Sequence, residues 1–330
     1  MIRQIRRDFF RIRTMLILLL SMPFVAMAGE VSVTGIAAQQ RYPWNGLVDI
    51  VVTLQGESND VIVTECLFAA TNSTTKAVIQ VEHIVRNGSD SGMDNVWTRN
   101  FIWDAKADVG AVKIDDVELA VDAKLLGVQL WDQGPYWAEC NVGATKPEEC
   151  GYYFWWGDAV GYQYDGSRWN AADLSRIGFS FASKNCPTCG KSNETLRSDG
   201  YLTTGSRFAP AHDAATVHLG APWRMPTHWD FSELLSNCTT MWTTCNGVSG
   251  LLVTGKGAYA LRSIFLPAAG TGFEDNIVGV GSSFYYWSST PASYNNYFSD
   301  CLYFFSGNLK VTDARRDSGF VVRPLRSFIR

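Results

Sequence analysis

Charge and histidine are scarce in this chain. Only 18% of its 330 residues are charged, and four are histidine. A disordered chain combines low hydrophobicity with high net charge. The 46% hydrophobic content and formal charge of −4 exclude that class. No apolar run of about 20 residues follows the N-terminus, so no spanning helix is expected downstream. Gly 29 and Pro 11 are scattered without period, which excludes collagen-like and low-complexity chains. His83, His212, His218 and His228 never fall in HExxH spacing, so a helix-borne zinc site is unsupported. No GxSxG elbow offers a lipase-like serine. Glu148-Glu149 and Asp115-Asp116 are adjacent acids, which on a strand point to opposite faces and form no glycosidase pair. What the chain has in surplus is aromatics, 13% with Trp 12. Its length fits two domains.

The N-terminus reads as a targeting segment. Arg3, Arg6, Arg7, Arg11 and Arg13 form a basic region, and an apolar stretch from Met15 leads to Ala26-Met27-Ala28. That pattern predicts a signal peptide over 1–28, cleaved after Ala28. The apolar run is too short for a membrane anchor, and Pro23 breaks it. Arg6-Arg7-Asp8-Phe9-Phe10 also resembles a twin-arginine signal, although paired arginines are common in ordinary leaders. Removing 1–28 takes away five arginines and Asp8, which shifts the charge from −4 to −8. Such an acidic exported chain is a poor partner for nucleic acid, whose phosphates demand positive charge. The expectation is a secreted or cell-surface protein with no transmembrane segment after cleavage.

All eight cysteines lie beyond the leader. An even count in an exported chain reads first as disulfides. Local pairing would join Cys140 with Cys150, Cys186 with Cys189, and Cys238 with Cys245. Cys66 and Cys301 are left without an assignment. Cys186-Pro187-Thr188-Cys189 also looks like half a zinc ribbon, but Cys238 and Cys245 are too widely spaced for the second half, so a structural loop is the better account. Gly190-Lys191-Ser192 echoes a phosphate loop, yet Asn185 stands where its first glycine would be.

Two halves differ in pattern. Over 29–122, Val48, Ile50, Val52 and Leu54 alternate along one run, and further β-rich runs fall at 61–70, 76–85, 95–104 and 111–121. Turn clusters at 56–60, 71–75, 86–92 and 106–110 separate them. This predicts an all-β sandwich, immunoglobulin-like in class, though it holds one cysteine and therefore no Cys…Trp…Cys signature. Residues 123–126 read as a linker. Beyond them, nine of the twelve tryptophans lie between Trp131 and Trp287. One helix is signalled: Thr227 as cap, Asp230 as capping-box acid, and Phe231, Leu234, Leu235 and Cys238 on one face. A hairpin is expected from Leu302 to Thr312 about Ser306-Gly307-Asn308.

Residues 127–326 carry an ordered set of motifs. They run from Trp137-Ala138-Glu139-Cys140-Asn141-Val142-Gly143-Ala144 and Gly151-Tyr152-Tyr153-Phe154-Trp155-Trp156-Gly157-Asp158 through Asp213-Ala214-Ala215 and Trp223-Arg224-Met225-Pro226-Thr227. They continue with Ile264-Phe265-Leu266-Pro267-Ala268-Ala269-Gly270, Tyr286-Trp287-Ser288-Ser289-Thr290 and Leu302-Tyr303-Phe304, and close on Arg316, Gly319-Phe320, Val322 and Arg323. The set resembles the Fibrobacter succinogenes major paralogous domain. The stretch Gln40-Arg41-Tyr42-Pro43-Trp44-Asn45-Gly46-Leu47-Val48-Asp49 resembles the start of a β-sandwich domain found before such modules in exported bacterial proteins. The first resemblance implies an α+β C-type-lectin-like fold over 127–330, two helices beside a twisted antiparallel sheet, similar to formylglycine-generating enzymes. It carries no defined activity, and a shared scaffold transfers none.

An oxidase of the formylglycine-generating kind would need activated cysteines near the C-terminus. Gly319-Phe320-Val321-Val322-Arg323 has none, and Cys301 is the only late thiol. No catalytic residue is therefore assigned. The residues expected to bind a ligand lie between motif blocks: Tyr294, Asn295, Asn296, Tyr297 and Asp300, with Asp313, Arg315 and Asp317. Tyr offers a rigid contact and Asn and Asp offer hydrogen bonds, as in antibody paratopes. Trp137, Trp155, Trp223 and Trp287 sit inside motifs and are expected in the core, with Arg316 and Arg323 making structural hydrogen bonds. Analogy to lectins leaves calcium open, but the EPN, QPD and WND calcium triplets of C-type lectins are absent, so no calcium site is predicted, and no other metal or cofactor is expected. The functional expectation is a non-catalytic surface protein that recognises a carbohydrate or protein through these loops. The alternatives are a structural cell-envelope protein and an enzyme on the same scaffold.

Overall fold

The computed structural model describes residues 11–14, 31–42, 45–56, 64–72, 74–109, 116–125, 127–175, 177–182 and 185–327. The chain divides into two compact units, with the boundary between Leu126 and Gly127. Most of the segment 1–28 read as a leader, its cleavage point included, lies outside the described residues, as do Pro43 and Trp44 of the second motif. Arg11–Thr14, inside that segment, forms a strand parallel to Asp116–Leu119. The strand Asp116–Leu125 runs through most of the stretch read as a linker.

The first unit is built from two sheets. One orders Ser32–Gln40, Leu47–Gln55, Val96–Asp104 and Ile84–Arg86, all antiparallel, with Ser91–Met93 also on Val96–Asp104. The other orders Arg11–Thr14, Asp116–Leu125, Thr64–Asn72 and Val78–Ile79. Period-two patterning explains the packing. Val48, Ile50, Val52 and Leu54 point to one side and are completely buried, in one cluster with Phe101, Trp103, Cys66, Val117 and Leu119. Burying each such aliphatic side chain contributes roughly 1.5–3 kcal/mol. A carboxylate at position 52 would break this core. The 106–110 stretch read as a turn is instead a helical turn, Ala105–Val109. It places Asp108 to accept from Trp103 Nε1 at 2.7 Å and from the backbone of Glu82 and His83.

The second unit is β-rich, and here the α+β C-type-lectin-like expectation is overturned. It contains five small antiparallel sheets of two to four strands among the described residues. Its α-helices are Asn193–Ser198 and Ala214–Leu219, of six residues each, and His228–Asn237, of ten. Among the described residues, two helices beside one twisted antiparallel sheet are not found. The reason is local. Helices this short are stable only through packing. Gly143, Gly151, Gly157 and Gly161 all adopt positive φ, so the Trp-rich motifs turn every few residues rather than coil.

Aromatic rings fill the interior these turns enclose. Trp137, Trp155, Trp156, Trp169 and Trp287 are completely buried or nearly so. The indole of Trp156 donates to Ser288 O at 2.8 Å and that of Trp287 to Phe154 O at 2.8 Å. Phe154 in turn bridges Phe320 of the closing motif. Two buried arginines tie the loops together. Arg316 donates to Phe298 O, Ser299 Oγ, Thr188 O and Lys191 O. Arg323 donates to Asn141 Oδ1, Phe265 O, Ala138 O and Glu139 O. Burial pulls Arg316 down to about 10, so it stays charged at neutral pH, its plane over the Trp156 ring. Among the described residues no helix is long and apolar enough to cross a membrane.

Candidate functional site

The site is assembled where the ten-residue helix meets the last hairpin. Thr227 caps the helix in a capping box: its side chain accepts from Asp230 N, and Asp230 accepts from Thr227 N at 2.6 Å. Arg224 grips the same carboxylate through two bonds of 2.8 and 2.9 Å. Burial pushes Asp230 up, but Arg224 and Thr227 outweigh it and hold the group below the usual carboxylate value. This lock fixes the first helical residues, His228 and Trp229.

The hairpin supplies the other half. Phe298–Phe305 and Asn308–Arg315 pair antiparallel through a two-residue turn, Ser306-Gly307, both at positive φ. Its register sets Asp300 directly opposite Asp313, so their side chains share a face. His228 Nδ1 lies 3.0 Å from Asp300 Oδ2, and the His228 amide donates to Thr290 Oγ1 at 3.0 Å. The Asp313 carboxylate neighbours the Tyr294 phenol. The Trp229 ring stands edge-on to His228 at 5.3 Å. The order along this face is therefore Trp229, His228, Asp300, Asp313, Tyr294. Its two ends are wide open: Trp229 is 74% exposed and Tyr294 72%.

Burial raises Asp300, and the Asp313 charge adds to this, against the opposing pull of His228. The hydrogen bond to Asp313 raises the Tyr294 phenol. Chemically, the arrangement offers carboxylate acceptors for hydroxyl groups and two exposed aromatic faces. Among the described residues no three His, Cys, Asp or Glu side chains converge to hold a metal ion.

The loop residues singled out in sequence separate into two groups. Tyr294, Asp300 and Asp313 belong to the chain just described. Asn295 Oδ1 accepts from Tyr297 N at 2.9 Å, so its side chain builds the turn. Asn296 accepts from Gly190 N at 3.1 Å through its carbonyl. Tyr297 lies over Gly190, where a Cβ would come within 3.1 Å of the phenol oxygen. Arg315 and Asp317 pair with each other at 2.9 and 2.5 Å, and the Asp317 carbonyl accepts from Trp155 Nε1. Through Gly190, Asn296 and Tyr297 adjoin the loop closed by the Cys186–Cys189 disulfide. His228 and Trp229 were missed in sequence. Nothing in the spacing separates them from the helix around them, although an aromatic on the polar face of an otherwise amphipathic helix is a usable signal.

Cys66, Cys150, Cys238, Cys245 and Cys301 carry thiols. Cys140 and Cys150 flank a contact in which Asn141 Nδ2 donates to Cys150 O at 2.9 Å. Cys238 and Cys245 do not pair. Thr239–Cys245 is an extended strand, and at about 3.3 Å per residue it holds the two sulfurs on the order of 20 Å apart. No family model, curated protein or solved structure matches the chain, so the family resemblance rests on its motifs alone.

Proposed function

We propose that the chain is an exported, non-catalytic binding protein that recognises a carbohydrate through the face formed by Trp229, His228, Asp300, Asp313 and Tyr294. The observation that carries the reading is the pair of exposed aromatics linked by a line of carboxylates. A sugar presents an apolar ring face and several hydroxyls. Indole and phenol rings stack on the first, and ionised carboxylates accept from the second. Export is supported by the arginine-rich, apolar N-terminus with its Ala-x-Ala stretch and by the Cys186–Cys189 disulfide.

The test is a glycan-binding screen of the purified chain followed by titration. A saturable ligand is expected. Trp229→Ala should weaken it by about 30-fold, the effect of losing an aromatic anchor of about 2 kcal/mol. Unchanged affinity in a folded Trp229→Ala, Tyr294→Ala double variant would contradict the assignment of this face.

A further inference from the structure

Thr239–Cys245 is the outer strand of a three-stranded sheet. It pairs with Val248–Thr254 on one side and has no strand on the other among the described residues. Its sequence, Thr-Thr-Met-Trp-Thr-Thr-Cys, contains no charge, proline or glycine. Charge, proline and bulges are the devices that protect an edge from pairing, and none is present here. The strand is also uncovered: Thr239, Thr240, Met241, Trp242 and Thr244 are exposed.

Hairpin geometry determines which backbone groups face outward. The turn Asn246-Gly247 has two residues, at φ 49 and 84, closed by Cys245 opposite Val248. The pair flanking such a turn exchanges both hydrogen bonds, and bonded pairs then alternate along the ladder. Cys245, Thr243, Met241 and Thr239 thus direct their N–H and C=O groups toward Val248–Thr254. Thr240, Trp242 and Thr244 direct theirs away from it. The far side of the middle strand agrees, since Ala268 N donates to Ser249 O at 2.8 Å.

We propose that this edge pairs with the same strand of a second copy, antiparallel, about a two-fold axis at Trp242. In an antiparallel pair, residues that face the shared ladder lie opposite one another and alternate with non-bonded pairs. An axis at Trp242 is the one that brings all three outward residues of the strand into the ladder. The outward set Thr240, Trp242, Thr244 reads the same in both directions. Each Thr240 then meets the other copy's Thr244, and the two tryptophans meet each other. Cross-strand threonine and aromatic pairs stabilise a sheet. A second copy is the fitting occupant because an uncharged, palindromic edge is complementary to itself, and a two-fold contact closes at two chains. Trp242 is already held in place by stacking on Phe304, with ring centroids 4.4 Å apart and 12° between planes.

The test combines sedimentation of the purified chain over a concentration series with amide hydrogen exchange. The expected result is a doubling of mass with concentration, accompanied by slowed exchange at Thr240, Trp242 and Thr244. Thr240→Pro removes one outward donor and leaves the inner ladder intact. Trp242→Lys sets two like charges face to face. Each should weaken association at least tenfold, and the exchange data decide the matter should either variant fail to fold. A chain that stays monomeric with concentration-independent exchange at those amides overturns the proposal. So does dimerisation that both folded variants retain, or protection that appears only when a different protein is added.

Discussion

His228 is the residue on which the proposed site turns, because it joins two elements distant in sequence. Its ring meets Asp300, 72 positions on, and its amide meets Thr290. Around that junction Asp300 is raised by burial and by Asp313, with His228 opposing. A protonated carboxyl no longer accepts from a ligand hydroxyl with both oxygens. Binding should therefore weaken on acidification at a pH above the ordinary Asp value of 3.8, with Asp313, His228 and Tyr294 the titratable groups facing it. Asp300→Asn should bind more weakly at neutral pH and lose much of that dependence. A titration of affinity against pH for both chains checks this. Arg323 gives a second residue-scale outcome. Its guanidinium is buried and bonded to four backbone or amide oxygens, so Arg323→Ala should lower unfolding free energy by at least about 3 kcal/mol, measured by denaturant titration.

Among the elements, the capped helix shows how local chemistry positions function. Asp230 ties Thr227 and Arg224 together at its N-terminus, and its folded value is depressed. A depressed acid stabilises the fold above its unfolded value and loses that contribution as pH falls through the folded one. Asp230→Asn should thus cost about 2–3 kcal/mol at neutral pH, and the difference from the parent chain should shrink below pH 3.8, as read from melts at several pH values. The disulfide loop is a contrasting element. Cys186 and Cys189 close only a short loop, so Cys186→Ser with Cys189→Ser should change stability little and leave binding at Trp229 and Tyr294 intact. A thermal melt and one titration measure both.

The same elements show what was legible in sequence. Thr227 and Asp230 announced the helix start through side-chain chemistry that acts within three residues. Phe231, Leu234 and Cys238 are buried as their spacing indicated, with Leu235 half-buried. Val48 to Leu54 alternated because one sheet face is buried. The hairpin at Ser306-Gly307 followed from residues that tolerate positive φ. What failed depended on distance. The pairing of Cys238 with Cys245 ignored the strand that separates them. The α+β fold of the second unit was carried by resemblance, and the positive-φ glycines in and beside the motifs break the chain into small sheets instead. Trp229 was missed because composition does not separate an exposed indole from a core one; only its place off the apolar face of the helix does.

For the molecule as a whole, two units with separate cores follow from the two sequence patterns. One is a pair of sheets around aliphatic side chains, the other a set of small sheets around buried indoles and other aromatic rings. The second unit carries both surfaces of interest. One holds polar groups between exposed aromatics, and the other is an uncharged strand edge. Self-pairing along Thr239–Cys245 would present two copies of the carbohydrate face on one particle. Avidity toward a multivalent glycan would then exceed the affinity of a single site and fall with Trp242→Lys while single-site affinity stays unchanged. Surface binding against soluble-ligand titration separates the two quantities.

The central claim is that Trp229 and Tyr294 frame a carbohydrate-binding face. Titration of a glycan hit against the parent chain and Trp229→Ala tests it most directly. Saturable binding by the parent and a loss of about 30-fold in the variant are expected, with both proteins equally folded. Equal affinities, or no glycan bound by the folded parent, would contradict it.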